Sequence, residues 1–210
     1  MKHMLNRRMY KGMRVLSAVF NPFQFTFVAF FVLFFFTYLR ILPLSYRLFV
    51  LLLVYVFTIA LPTLFFFLYR HFMGWSLRAY RDRKKRFIPY AIVVVCYFAC
   101  YMLMDRLKLP RYMYGIIMGT TIATIVSGAA NMRWKISEHM IPMGGVVAGL
   151  IVFSFLLNYN PLLLLSFFIL LSGALGSTRI ILKHHTAGEV LGGFLIGFFS
   201  ILLTLGYYFW

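Results

Sequence analysis

Long apolar runs broken by short polar segments set the layout of this chain. Seven of them fall at about 23–39, 48–69, 87–104, 112–131, 140–158, 162–182 and 190–209. Each holds about 17–22 residues, and ~20 residues at 1.5 Å rise cross a hydrocarbon core ~30 Å thick. Such runs must be helical, because lipid offers backbone groups no other partner. The pattern predicts an all-α, polytopic membrane helix bundle of six to seven transmembrane helices. One integral-membrane domain covers 23–210, behind a basic N-terminal segment at 1–22.

Punctuation within the runs adds detail. Pro62 lies inside the second run and is expected to kink it. Pro89 suits the first turn of the third helix, where a missing N–H costs nothing. The fourth run is rich in small and hydroxyl residues (Gly115, Gly119, Thr120, Thr121, Thr124, Ser127, Gly128), which predicts close helix packing. Gly145 and Gly149 repeat that spacing in the fifth. The run after Pro22 is bulky and has no small-residue cleavage pattern, so it is expected to stay as an anchor. Residues 3–20 are expected to lie on the membrane surface as an amphipathic segment.

Composition then excludes a water-soluble domain, since 63% of residues are apolar and only 12% charged. A net charge of +17 raises the question of nucleic acid. The 21 basic residues, however, sit at run ends and in short loops, as lysine and arginine do in membrane proteins. Trp75, Tyr80 and Trp134 fit an interfacial belt. No nucleic-acid partner is expected. With seven crossings and the N-terminus inside, sixteen basic residues face the cytoplasm and five (Arg40, Arg47, Arg106, Lys108, Arg111) face out. Parity also puts the loops at 70–86, 132–139 and 183–189 on one side. Cys96 and Cys100, one turn apart within the third run, read as membrane packing.

The candidate chemistry lies in those three loops. Thr178-Arg179 is followed by five residues, His185, three residues and Glu189. If helical, Glu189 lies one turn beyond His185, where a carboxylate holds an imidazole tautomer and leaves the other nitrogen free. Arg179 supplies the planar, permanently charged fork that suits phosphate. The second loop carries Lys135, Ser137 and His139, with Ser137 near the start of the fifth helix, where free N–H groups favour an anion. Ser137 as an N-cap residue is a compatible reading. Glu138 reads as solvated and His184 as a neighbour pointing elsewhere. Metal is not expected, because the adjacent His184 and His185 diverge and the nearby cations repel a metal ion.

These residues resemble two signatures of the type 2 phosphatidic acid phosphatase (PAP2) superfamily, in a divergent prokaryotic branch. The third signature, Ser-Arg, five residues, His, three residues, Asp, appears here with Thr178 for serine and Glu189 for aspartate. The second, Pro-Ser-Gly-His, survives as Ile136-Ser137-Glu138-His139. The first, Lys, six residues, Arg-Pro, has no literal copy; its nearest counterpart is Arg83-Lys84-Lys85-Arg86 with Pro89. The resemblance implies a PAP2-like fold and a cofactor-free phosphatase acting on a phosphorylated or pyrophosphorylated lipid in the cytoplasmic (inner) membrane. His185 would attack phosphorus, Glu189 would orient it, and His139 would protonate the leaving oxygen and then activate water. Arg179, Ser137, Lys135, Arg86, Arg83 and Thr178 would hold the phosphoryl oxygens. Two rival readings are a lipid-phosphate binder without turnover and a small transporter.

Overall fold

The computed structural model describes residues 24–73, 87–158 and 160–209, and every regular element among them is helical. In chain order they are α1 (Phe25–Phe36), a 3-10 turn (Tyr38–Ile41), α2 (Leu44–Tyr55), a π turn (Val56–Ala60), α3 (Leu61–Met73), α4 (Phe87–Arg106), α5 (Arg111–Asn131), α6 (Met140–Leu156), α7 (Leu162–Ile181) and α8 (Ala187–Phe209). The basic segment at 1–22 and the run holding Arg83 and Arg86, with Trp75 and Tyr80, lie outside the described residues.

Among the described residues, five helical stretches are long and apolar enough to cross a membrane: Leu44–Phe72, Ile88–Arg106, Arg111–Asn131, Leu162–Ile181 and Ala187–Tyr208. The other two apolar runs form shorter helices. The run at 23–39 stops as a helix at Phe36, because Thr37 turns extended. There the Thr37 hydroxyl donates to the Leu33 carbonyl and accepts from the Leu39 N–H, capping the 3-10 turn. The run at 140–158 yields 17 helical residues, and α6 ends two residues before Asn158, which adopts a left-handed conformation.

Prolines and left-handed residues mark the ends. Pro43, Pro110 and Pro161 directly precede α2, α5 and α7, where a backbone N–H would have no acceptor. At the other end, Lys108 and Lys183 take positive φ (53° and 55°) two residues past α4 and α7. Each closes a Schellman cap: Leu109 N–H reaches Met104 O and Lys108 N–H reaches Asp105 O, while His184 N–H reaches Arg179 O and Lys183 N–H reaches Ile180 O. Pro62 is accommodated by the π turn just before it, where Leu61 N–H bonds back to Val56 O. Widening that turn moves the i−4 carbonyl away from the proline ring.

Two apolar clusters fill the bundle. One gathers Phe30, Phe34, Val50, Val54, Met104, Met113, Ile117 and Leu205; the other gathers Met140, Met143, Val147, Phe168, Leu175 and Val190. Lipid tails are as apolar as these side chains, so close approach of helices carries much of the packing. α6 and α8 approach most closely. A Cβ at Gly144 would collide with the Phe194 carbonyl, and one at Gly197 with the Ile141 carbonyl. On α5, Gly115 lies under Tyr208, and Gly119 lies against Ile201 and Thr204. Hydroxyls inside the bundle spend their protons on carbonyls one turn back, as Thr58, Thr121, Ser172 and Thr204 do. Cys96 and Cys100 are buried and unbridged.

Candidate active site

Thr186 and Glu189 decide where α8 begins. The Glu189 carboxylate accepts the Thr186 N–H (3.0 Å), and the Glu189 N–H reaches the Thr186 hydroxyl (3.3 Å). This is a capping box, which satisfies two N–H groups that the helix start leaves open. The same carboxylate oxygen lies 3.1 Å from His185 Nδ1. A cap thus becomes a histidine partner, and Glu189 fills both roles that its position suggests. With Nδ1–H held on the carboxylate, Nε2 is the nitrogen left for chemistry.

His185 has 7% of its side chain exposed, and Glu189 has 16%. Burial pushes the imidazole below the ordinary histidine pKa, the positive charges of Arg179 and Lys135 push the same way, and the Glu189 bond partly opposes them. The balance favours the neutral ring, the form that can attack. Arg179 stands in the last turn of α7, half-buried. Its backbone carbonyl accepts the N–H groups of both His184 and His185, at 3.1 and 3.3 Å. The left-handed turn at Lys183 thus folds the backbone of both histidines back onto the Arg179 carbonyl.

The loop between α5 and α6 is bonded to the same place. Ser137 N–H donates to the Glu189 carbonyl (3.1 Å), and Lys135 Nζ donates to the His184 carbonyl (3.0 Å). The Trp134 ring covers the glycine face of α8, where a Cβ on Gly192 would come within 2.8 Å of it. Gly193 lets the Ser137 carbonyl approach so closely that a Cβ there would lie 2.5 Å away. The structure therefore brings together Arg179, His185, Glu189, Lys135 and Ser137. His139 opens α6 two residues beyond Ser137, half-buried.

Two expectations are revised. Thr178 is buried, and its hydroxyl donates to the Ala174 carbonyl (2.8 Å), so that proton is not available to a phosphate. Ser137 caps nothing: α6 starts at Met140 with His139 before it, and the fully buried Ser137 Oγ has no hydrogen-bond partner. An unused hydroxyl at that depth is costly, and a ligand oxygen beside it would remove the cost. Arg83 and Arg86 precede α4 and lie outside the described residues. Among the described residues no group of three His, Cys, Asp or Glu side chains has metal-binding geometry.

A polar network went unanticipated. Tyr90, in the first turn of α4, donates to Glu138 (2.5 Å) and accepts from Asn131 Nδ2 (2.6 Å). Asn131 Oδ1 in turn takes the Ile136 N–H (2.8 Å). Glu138 is exposed as expected, but it is held. The only sequence trace of this network is an asparagine and a tyrosine at helix ends beside the basic loops. A cavity of about 610 Å³ adjoins Tyr90 and Glu138 and runs among α1, α3, α4, α5, α6 and α8. Its walls are mostly apolar, with Phe66, Val93, Val146 and Phe153 among them, and its size is that of a ligand site. Compared with protein-family models, curated proteins and solved structures, this chain matches none.

Proposed function

We propose that this protein is a membrane lipid-phosphate phosphatase of the PAP2 type, hydrolysing a phosphate monoester or pyrophosphate through a phosphohistidine, without a metal. The observation that carries the reading is the union of two distant segments. A nearly buried His185 is paired with Glu189, whose own carbonyl holds Ser137. Arg179 and Lys135 act electrostatically on that imidazole, and the buried, unpartnered Ser137 hydroxyl belongs to the segment bonded to Glu189, so cations and a donor of the kind a phosphoryl group requires stand in the same two segments.

In this reading His185 Nε2 attacks phosphorus in line and the lipid oxygen leaves. Arg179, Lys135 and Ser137 take up charge on the equatorial oxygens of a loose transition state. His139 gives its proton to the leaving oxygen, then takes one from the water that splits the phosphohistidine. Glu189 orients His185 and stabilises its positive charge in the intermediate. The neighbouring apolar cavity suits a hydrocarbon chain, so the lipid keeps its tail out of water while its head group reacts. Seven crossings, with α1 and α6 as short ones, leave the two site loops on one face, cytoplasmic by charge count.

Phosphate release from mixed lipid phosphates, by detergent-purified wild type, His185→Ala and His139→Ala, tests the proposal. Release by wild type that survives EDTA and is lost in both variants supports it. Wild type that binds lipid phosphate without releasing phosphate would leave a binder instead, and full activity in His185→Ala would refute the mechanism.

A further inference from the structure

Glu138 is a carboxylate placed where an anion is to bind, and nothing in the proposed reaction uses it. It sits between Ser137 and His139, and Tyr90 holds its Oε1. Tyr90 is fixed in turn: its ring lies over Gly128, 3.3 Å from where a Cβ would stand, and Asn131 donates to its hydroxyl. Asn131 also ties down the backbone at Ile136, one residue before Ser137. The carboxylate is therefore held by one hydroxyl that is itself fixed by Asn131 and the Gly128 face of α5, unlike a freely rotating surface acid.

Its opposite charge is close by. Met140, two residues after Glu138, packs against Gly176, with its Cε 3.6 Å from the Cβ position there. Arg179 follows Gly176 by one turn towards the loop, and it lies within the electrostatic reach of the Glu138 carboxylate. A carboxylate in that position interacts with the guanidinium that would grip a phosphate, and it repels the phosphate itself. Fixed like charge beside an anion site lowers affinity for the anion, and for a dianionic product more than for a monoanionic ester.

We infer that Glu138, held by Tyr90, is a positioning residue that competes with bound phosphate for Arg179 and so speeds release of the phosphate product. The inference rests on the phosphate-site reading of Arg179, Ser137 and Lys135. Tyr90 sets the strength of the competition, since its hydrogen bond holds one oxygen of the carboxylate and takes up part of its charge. The two residues are therefore expected to have opposite effects, which a merely structural role of the pair would not produce.

Calorimetric titration of the detergent-solubilised full chain with inorganic phosphate at low ionic strength provides the test. Glu138→Gln keeps an acceptor for Tyr90 and removes the charge, so phosphate should bind about two- to fivefold more tightly, the scale of an exposed ion pair. Tyr90→Phe frees the full charge of the carboxylate and should bind phosphate about twofold more weakly, while the double variant should follow Glu138→Gln. Added salt should shrink these differences. Wild-type binding with Glu138→Gln equal to it or weaker would overturn the inference and leave the phosphate site standing. Absence of phosphate binding in the wild type, with Glu138→Gln also silent, would overturn both.

Discussion

Gly193→Ala is the sharpest single perturbation available, because it moves one segment of the proposed site against the other without touching a proposed reacting group. An alanine Cβ at 193 would stand 2.5 Å from the Ser137 carbonyl oxygen, where ordinary contact begins at 3.4 Å. The difference is 0.9 Å, and the nearest obstacle is backbone, which cannot rotate aside. Ile136 and Met140 close the same space at 3.2 and 3.3 Å. The loop must therefore shift outward by roughly an ångström, lengthening the 3.1 Å bond from Ser137 N–H to the Glu189 carbonyl. A displacement of ~1 Å costs on the order of a hundredfold in rate, or about 2.7 kcal/mol of transition-state stabilisation. Lipid-phosphate turnover and thermal unfolding should be measured together, with Gly206→Ala as the control, since nothing lies within 4 Å of a Cβ there. The expected result is kcat/KM down about a hundredfold in Gly193→Ala with the folded state retained, and no loss in Gly206→Ala. A Gly193→Ala enzyme with wild-type kcat/KM would refute the claim that the Ser137 segment and α8 form one site.

Three further outcomes follow. Because burial, Arg179 and Lys135 depress the His185 pKa, the acid limb of the rate profile should fall below the ordinary value of 6.5; Lys135→Met should move it up and Glu189→Gln further down, as read from pH–kcat/KM profiles. Between the depressed native value and 6.5 the unfolded chain binds more protons, so the His185 contribution makes stability rise with pH through that window and fall on acidification. Thr186→Ala removes one half of the capping box at α8 and should cost about 1 kcal/mol in unfolding free energy, while loosening Glu189 and lowering kcat. Lys183→Gly relieves a positive φ on a side-chain-bearing residue and should raise stability by about 0.5–1 kcal/mol in a thermal melt, because the Schellman cap persists without the strain.

Much of this architecture was legible because hydrocarbon imposes a simple rule on sequence. Each of the seven apolar runs contains helix, and Pro43, Pro110 and Pro161 mark starts that local chemistry alone explains. The shortness of α1 was not legible, since Thr37 ends it through hydroxyl bonds that an apolar count ignores. In the site, the pairing of His185 with Glu189 follows from their spacing of four, and the Thr186-to-Glu189 cap is readable in the same way. Thr178 was misplaced because a threonine inside a membrane helix satisfies its own hydroxyl on the preceding turn, here on Ala174. The bonds that join Tyr90, Asn131 and Glu138 escaped notice for another reason. These residues meet only through tertiary packing, and no local period joins α4 to the loop after α5. Glycine spacing marked α5 and α6 as closely packed, yet it could not say that Gly144 and Gly197 would place α6 on α8.

That glycine contact has a consequence for how the molecule tolerates disturbance. His139 is mounted at the head of one rod and His185 just ahead of the other, and where Gly144 and Gly197 meet the facing carbonyls no side chain stands between the two rods. The spacing of the two helix starts that carry these histidines is thus inherited from two abutting main chains, with no side chain between them. Softening of the outer helices by heat or a thinner bilayer would reach the proposed site last, and a single added methyl on this seam would reach it first.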